Sequence, residues 1–390
     1  MAFFLPFLVR LIFVLTLKDL IFPDEETYLR MALCVKEGKG LCYPHLTASM
    51  PPLLPILYAF TISLPFNNLM EIRILHALVG GFLGIFLFVW GNKLFNLRTA
   101  IISLLIYSFY PTLVFFTGLI LSETIFTFLL FLYLYSIWQF YKEVKWKWGI
   151  ISGILGALAS LVRASALSLF PFLYPLLLYF FIKEKKNPKI LFISILIFGL
   201  VYSPWIIRNW LRFHHLIITT TDGGWVLYSG NNPKNRTGGG IMGVDVDFPE
   251  EAKGMNEIEK DRYFKRKALE FIKTHPCKFF ILAFKKFART WRLYPSPTSG
   301  FMSKKYILIM ILSYGVLLPF FLWGFFYHLK DFRFLFPLYL PLIIFTLTHM
   351  IFIGSIRYRI PLLPYFILLA SSSLDLFIKK KFYRSLWASL

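Results

Sequence analysis

Charge is scarce in this chain. Asp, Glu, Lys and Arg make up 16% of its 390 residues, against roughly 25% in soluble domains. That shortage excludes an ordinary water-soluble globule and a disordered chain. Acids are the scarcer sign, 20 against 42 Lys and Arg. Cysteine is nearly absent, and Cys34, Cys42 and Cys277 form no CxxC pair. A zinc ribbon and a disulfide-built secreted scaffold are thereby excluded. A Cys34–Cys42 bridge is expected only if their loop lies outside the cytoplasm. Glutamine occurs once, at Gln139, in keeping with a composition that avoids labile amides.

What the chain has instead is apolar length. Hydrophobic residues reach 57%, aromatics 19% and mean hydropathy +0.65, which describes a polytopic membrane protein. The net charge of +22 would suggest nucleic acid in a soluble protein. Here the basic residues are dispersed through short loops between apolar runs, so nucleic acid is excluded and anionic membrane lipids are the expected partner.

Ten apolar runs are candidate spans, near 2–18, 73–92, 99–117, 119–141, 148–165, 166–182, 190–207, 306–327, 334–353 and 360–378. The first is not expected to be a cleaved signal, because Arg10 interrupts it and no basic n-region precedes it. Alternate loops carry 15 Lys and Arg against three acids, which predicts both termini in the cytoplasm of an inner-membrane protein. Segments 19–72 and 208–305 are then extracytoplasmic. The expected organisation is an N-terminal transmembrane module (1–207), an outer loop region (208–305) and C-terminal transmembrane helices (306–390). The fold class is all-α and polytopic, with outer juxtamembrane helices and a small extracytoplasmic α+β segment. Within that segment Trp225–Tyr228 reads as β-like. NEIEKDRYFKRKALEFIKTHP reads as an amphipathic helix ending at His275-Pro276, lying on the bilayer or packed on the neighbouring loop.

An ionisable residue in a span costs about 2.5–3.5 kcal/mol at its centre and so demands a reason. Asp375 has one in Lys379, one helical turn on. Glu123, Arg163, Arg357 and Arg359 all fall at the outer ends of their runs, and Asp24-Glu25 follows the first run. Asp24 and Glu25 could simply open a helix and complement its dipole. As a functional group, a carboxylate at the membrane surface supplies a general base. Glu123 inside LILSETIFTFL is harder to explain by capping, though it could pair with Arg163. Arg357 and Arg359 in GSIRYRIPLLP suit a phosphate at headgroup level, since guanidinium donates in a fork. Tyr28, four residues after Asp24, and Tyr358, between the two arginines, are expected substrate contacts.

In their order, these residues resemble a family. The DE pair with its tyrosine precedes SMPPLLPILYA, RILHALVGGFLGIFLFVWGNKLF and YPTLVFFTGLILSETIFTFLLFL. GILGALASLVRASALSLFPF, YSPWIIRNWLRF, TDGGWVLYSGNNP and RYRIPLLPYFILLA follow. This resembles the polyprenyl-phosphate-sugar-dependent membrane glycosyltransferases of the C-type fold (GT-C), near the protein O-mannosyltransferase and aminoarabinose transferase group (glycosyltransferase family 39-like). The resemblance runs from Asp24 to about Ala370 and rests on order, spacing and sidedness, no single motif being specific.

The resemblance implies an inverting transferase that takes a sugar from a polyprenyl-phosphate donor at the outer leaflet. It makes Asp24 the catalytic base, with Glu25 beside it, and has Glu123 shape the site. Arg357 or Arg359 meets the donor phosphate, with Arg163 as a further cation. Met50 stands before Pro51-Pro52 where aminoarabinose transferases have lysine, which leaves the donor open. The chain is shorter than many relatives and is expected to lack their large C-terminal soluble domain, so a lipid or glycan acceptor is expected over a protein. No cofactor is assigned. A divalent cation at Asp24, Glu25 and Glu123 stays open, although hard cations need more oxygen ligands than these supply. The rival class is a transporter or flippase of a lipid-linked glycan, for which Arg10, deep in the first run, is the best handle.

Overall fold

A computed structural model describes residues 1–64, 68–294 and 304–388. The helices are α1 (Phe4–Leu15), α2 (Pro23–Lys36), α3 (Leu53–Thr61), α4 (Asn68–Leu94), α5 (Leu97–Phe109), α6 (Pro111–Thr117), α7 (Glu123–Glu143) and α8 (Trp146–Val162). They continue with α9 (Phe170–Lys183), α10 (Leu191–Phe213), α11 (Gly223–Gly230), α12 (Glu257–Thr274), α13 (Pro276–Trp291), α14 (Lys304–Tyr327), α15 (Phe332–Ile351) and α16 (Leu363–Ala388). Residues 295–303 of the second long segment lie outside the described residues.

All ten apolar runs are helical. Among the described residues six helices are long and apolar enough to cross a bilayer, and seven if the pair 97–109 and 111–117, bent by 54°, counts as one. One of the six runs for 45 residues, Ile307–Ile351, which at 1.5 Å per residue would be about 68 Å, over twice a ~30 Å hydrocarbon core. It folds back instead. Tyr339 donates to the Phe325 carbonyl at 2.7 Å, and Trp291 touches both Phe321 and Thr346. The reversal falls at His328–Asp331. Phe4–Leu15 and Trp146–Val162 are shorter than a full crossing.

Small residues set the packing around α7. In α8, Gly153 faces the Ser194 carbonyl and Ile197 of α10, while Gly156 faces the ring of Tyr133. A Cβ at either position would overlap those neighbours, so glycine lets three helices close up as membrane helices do. An aromatic core fills the far side of α7. Trp90, Phe131, Trp138 and Tyr365 meet edge-on or tilted at 5.0–6.4 Å.

Arg10 turns out to be structural. A helical Tyr107 carbonyl would normally bond the amide of residue 111, but Pro111 has no N–H. Arg10 fills the gap, donating to Tyr107 O (3.2 Å) and Pro6 O (3.0 Å) with its guanidinium over the Tyr107 ring. The freed carbonyl accounts for the buried cation, and the handle for a transporter disappears.

The 214–294 segment corrects one expectation. The β-like stretch is the helix α11, and among the described residues there are only isolated bridges, Cys42 with Leu46 and Met242 with Val246. No neighbouring strand is available to pair with it. Trp225 and Tyr228 instead pack against Phe264 of α12. The amphipathic helix is found at Glu257–Thr274, with an Asn256–Glu259 capping box and Phe264, Ala268 and Phe271 buried. It packs on the neighbouring loop. The bilayer-type face belongs to α13, where Phe280, Ile281, Phe284 and Phe287 are exposed together at helical spacing. Cys34 and Cys42 are joined in a disulfide.

Candidate functional site

The loop 118–122 between α6 and α7 lacks helical partners, and side chains far apart in sequence replace them. Arg73 donates to Gly118 O (2.9 Å), Leu17 O (3.0 Å) and Asp19 O (2.6 Å). His76 Nδ1 meets Thr117 O, and the Tyr58 hydroxyl donates to Leu121 O at 3.1 Å. Glu25 completes the set. Its Oε1 accepts from the amides of Ile21 (2.8 Å) and Phe22 (2.7 Å), and its Oε2 from Ile120 (2.8 Å).

This scaffold fixes Glu123 at the first turn of α7, where an acid complements the helix dipole. Its carboxylate is 0% exposed, so its charge requires partners. Arg357 supplies Nε to Oε1 and Nη2 to Oε2 (3.5 Å), a two-point contact. Arg163 Nη1 reaches Oε1 at 3.4 Å. Arg163 occupies the single extended residue between α8 and the 3-10 turn Ala164–Leu169. Arg357 opens another 3-10 segment, Ile356–Leu362, begun by the Ser355 side chain accepting from its amide. The second acid is Asp24, whose Oδ2 accepts from Arg357 Nη1 at 2.5 Å. Asp24 and Arg357 are 333 positions apart.

Exposure is graded through this group. Side-chain exposure is 0% at Glu123, 19% at Arg163, 27% at Arg357 and 57% at Asp24. The cluster therefore opens on the Asp24 side. A guanidinium carries five N–H donors. Arg357 uses three on the two acids, and Arg163 uses one. The unused donors lie beside an accessible carboxylate, and Arg163 has the larger share.

Aromatic rings line the cluster. Arg163 lies 5.4 Å over the Tyr358 ring, whose other contact is a parallel stack on His349 at 4.2 Å. Tyr28 packs edge-on against Tyr58. Burial pushes its phenol up against the opposing pull of Arg357, so it is a protonated hydroxyl at neutral pH.

The structure thus brings together Asp24, Glu123, Arg163, Arg357, Tyr28 and Tyr358. It separates two expected members. Arg359 is 1% exposed, stacks 3.9 Å from the Tyr314 ring and donates to Arg292 O at 2.6 Å. On a 3-10 segment, residues two apart point in different directions, so Arg357 and Arg359 cannot share one phosphate. Glu25 is present but spent on backbone amides. Replacing it with Gln is expected to cost about 1.5–3 kcal/mol of stability, because an amide NH2 would face an N–H that a carboxylate had bonded. Thermal unfolding of Glu25→Gln checks this, with no loss of melting temperature as the contrary result.

The acids do not fit a metal. Glu25 has both oxygens on amides and Glu123 is held by two guanidiniums. Among the described residues no group of three or more His, Cys, Asp and Glu stands close enough to hold an ion.

Four contributors lay outside the sequence reading: Tyr58, Arg73, His76 and His349. The two histidines carried a signal, since each is a titratable residue within an apolar run.

A family model described as dolichyl-phosphate-mannose-protein mannosyltransferase matches residues 49–208. The match includes Met50-Pro51-Pro52, Glu123 and Arg163. ArnT from Cupriavidus metallidurans bound to undecaprenyl phosphate superposes with a TM-score of 0.60 at 13% identity, covering 95% of this chain and 58% of that one. The apo oligosaccharyltransferase of Archaeoglobus fulgidus gives 0.58 at 13% identity, with 98% and 51% covered. The fold is GT-C. AglB from the same archaeon, in complex with an inhibitory peptide and a dolichol-phosphate, agrees at 0.54 and 12% identity, with 99% and 51% covered. The chain spans just over half the length of these GT-C structures. Among curated proteins no sequence matches.

Proposed function

We propose that this GT-C chain is an inverting glycosyltransferase, moving one sugar from a polyprenyl-phosphate donor to a hydroxyl of a lipid or glycan. The reading is carried by one observation: an accessible carboxylate, Asp24, bonded to an arginine that shares a buried glutamate with a second arginine. Undecaprenyl phosphate bound to ArnT and dolichol-phosphate bound to AglB support a polyprenyl-phosphate carrier.

The chemistry divides between the two charges. The acceptor oxygen attacks C1 of the sugar, its proton passes to Asp24, and the C1–O bond to phosphate breaks. A positioned base contributes roughly 10²–10⁴-fold. Negative charge grows on the departing phosphate, where the unused N–H donors of Arg163 and Arg357 stabilise it. Glu123 holds both guanidiniums and is too enclosed to act as nucleophile. A single displacement follows, which inverts C1. Purified protein in nanodiscs, given a panel of undecaprenyl-phosphate sugars together with a membrane lipid and glycan extract as acceptors, should release undecaprenyl phosphate from one of them. Release from none would remove the reading.

We infer that the site faces the extracytoplasmic side of the inner membrane. The alternation of basic loops supports this, as does a Cys34–Cys42 disulfide in the loop carrying Asp24. In a Cys277→Ser background, a membrane-impermeant thiol reagent should label Lys253→Cys in intact cells and miss Lys185→Cys. Both positions are exposed, so the reverse pattern would put the site in the cytoplasm.

A further inference from the structure

A cleft of about 340 Å³ lies between α11, α12 and the 242–248 turn, bordered by Ser49 just before the Pro51-Pro52 pair. Its size falls within the ~300–1,000 Å³ of small-ligand sites. One wall is aromatic. Trp225 is partly exposed and is held edge-on by buried Phe264 at 4.8 Å and by a tilted Phe248 at 5.6 Å. Its indole N–H has no bond among the described residues.

The facing wall is acidic, in a chain whose net charge is +22. Asp222, Glu257 and Asp261 line it with Lys260 as the one cation. Two of these acids are already bonded. Asp261 accepts from the Gly224 amide at 2.6 Å, and Glu257 from Thr47, Ala48 and Thr221. Gly224 is required for that approach, since a Cβ there would lie 2.1 Å from the Asp261 carbonyl oxygen. Asp222 is different. It opens into the cleft and makes no side-chain hydrogen bond or ion pair with the described residues. Crowding by the surrounding protein, and then the negative charges of Asp261 and Asp24, raise its carboxyl above the usual carboxylate range. Its carboxylate oxygens are free to accept from hydroxyls. Asp24 is near enough to Asp222 to act on it electrostatically.

An exposed aromatic face with a free N–H, opposite an uncommitted carboxyl, is the chemistry that recognises a sugar ring. The ring's C–H face stacks on the indole and its hydroxyls bond the carboxyl. An anionic ligand would meet three carboxylates. We infer that this cleft is the acceptor subsite and holds an uncharged or amino-bearing sugar residue, between Trp225 and Asp222. The inference rests on the transferase reading and specifies its acceptor as a glycan.

Saturation-transfer NMR on the full chain in nanodiscs tests it. The probes are methyl mannoside, methyl glucosaminide, methyl N-acetylglucosaminide, glucose 6-phosphate and a Ser/Thr tripeptide amide. At least one uncharged or amino glycoside should receive saturation, and the sugar phosphate and tripeptide should not. Trp225→Ala and Asp222→Asn should each weaken binding about tenfold, the loss expected for a contact to a charged or stacking group. Asp222→Asn removes no packing, so it remains informative if Trp225→Ala unfolds. Binding of undecaprenyl phosphate to the same samples separates the two readings. If the lipid phosphate binds and no glycoside does, or only the tripeptide or sugar phosphate does, the cleft assignment is overturned and the transferase stands. If glycosides bind through Trp225 and Asp222 but the lipid phosphate does not bind, the cleft stands as a glycan site and the transferase falls. Equal glycoside binding by wild type and both variants would overturn the cleft assignment.

Discussion

Asp24→Asn is expected to lower the single-turnover rate of sugar transfer by about 10²–10⁴, the contribution of a positioned general base. Undecaprenyl phosphate should still bind. The substitution is nearly isosteric, and the amide oxygen can still accept from Arg357 Nη1 where the carboxylate did. What it loses is basicity. The alternative role, opening α2 and complementing its dipole, makes a different forecast. Asp24 lies in the first turn of α2, after Pro23, and is 57% exposed. If it did no more than start the helix, Asn would largely replace it, and turnover would survive. A rate within a few-fold of wild type would return Asp24 to that role and leave the cluster without a base.

Arg357→Ala should remove both donor binding and much of the stability. It cuts the contact to Asp24 and leaves the fully buried Glu123 with Arg163 alone at 3.4 Å. Leaving a buried charge poorly compensated costs about 3–5 kcal/mol. Two further variants separate structure from chemistry. Arg357→Lys keeps a cation but cannot reach both Glu123 oxygens and Asp24 together, so it should recover folding and only part of the donor affinity. Arg357→Ala combined with Glu123→Leu removes the stranded charge, and should regain stability while staying inactive. Arg359→Lys is the contrast. It loses the stack on Tyr314 and weakens the tie to Arg292 O, so stability should fall while donor affinity in the folded fraction holds. Wild-type donor affinity in Arg357→Lys, or its selective loss in Arg359→Lys, would reverse the assignment of the two arginines.

Those two arginines show where reading from sequence stops. Flanking one tyrosine, they look equivalent, and a fork of two guanidiniums on one phosphate is a reasonable expectation. The backbone there is a 3-10 segment, and one side chain enters the acid cluster while the other turns toward α14. Glu25 behaves similarly. Beside Asp24 it reads as a second catalytic acid, yet its carboxylate ties three amides of two loops together. Two of those amides, Ile21 and Phe22, are local and form a capping box at the start of α2, as the helix-opening role implies, whereas the third, Ile120, lies 95 positions away and no local signal points to it. Arg10 follows the same rule, its partner being a carbonyl freed by Pro111.

Composition and hydropathy by themselves determined that this is a helical membrane protein, where its apolar runs lie, and that α12 exists with its observed ending. Burial of apolar surface and the obligatory pairing of backbone groups in lipid depend on residue type and local spacing, so they can be read along the chain. The grouping of Asp24, Glu123, Arg163 and Arg357, the exclusion of Arg359 and Glu25, and the helical state of Trp225–Tyr228 came only from tertiary structure. Each depends on a contact across the chain, up to 333 residues in the case of Asp24 and Arg357. A charge in a low-dielectric interior takes its role from whichever partner the fold brings within a few ångströms, and no spacing in the sequence records that distance.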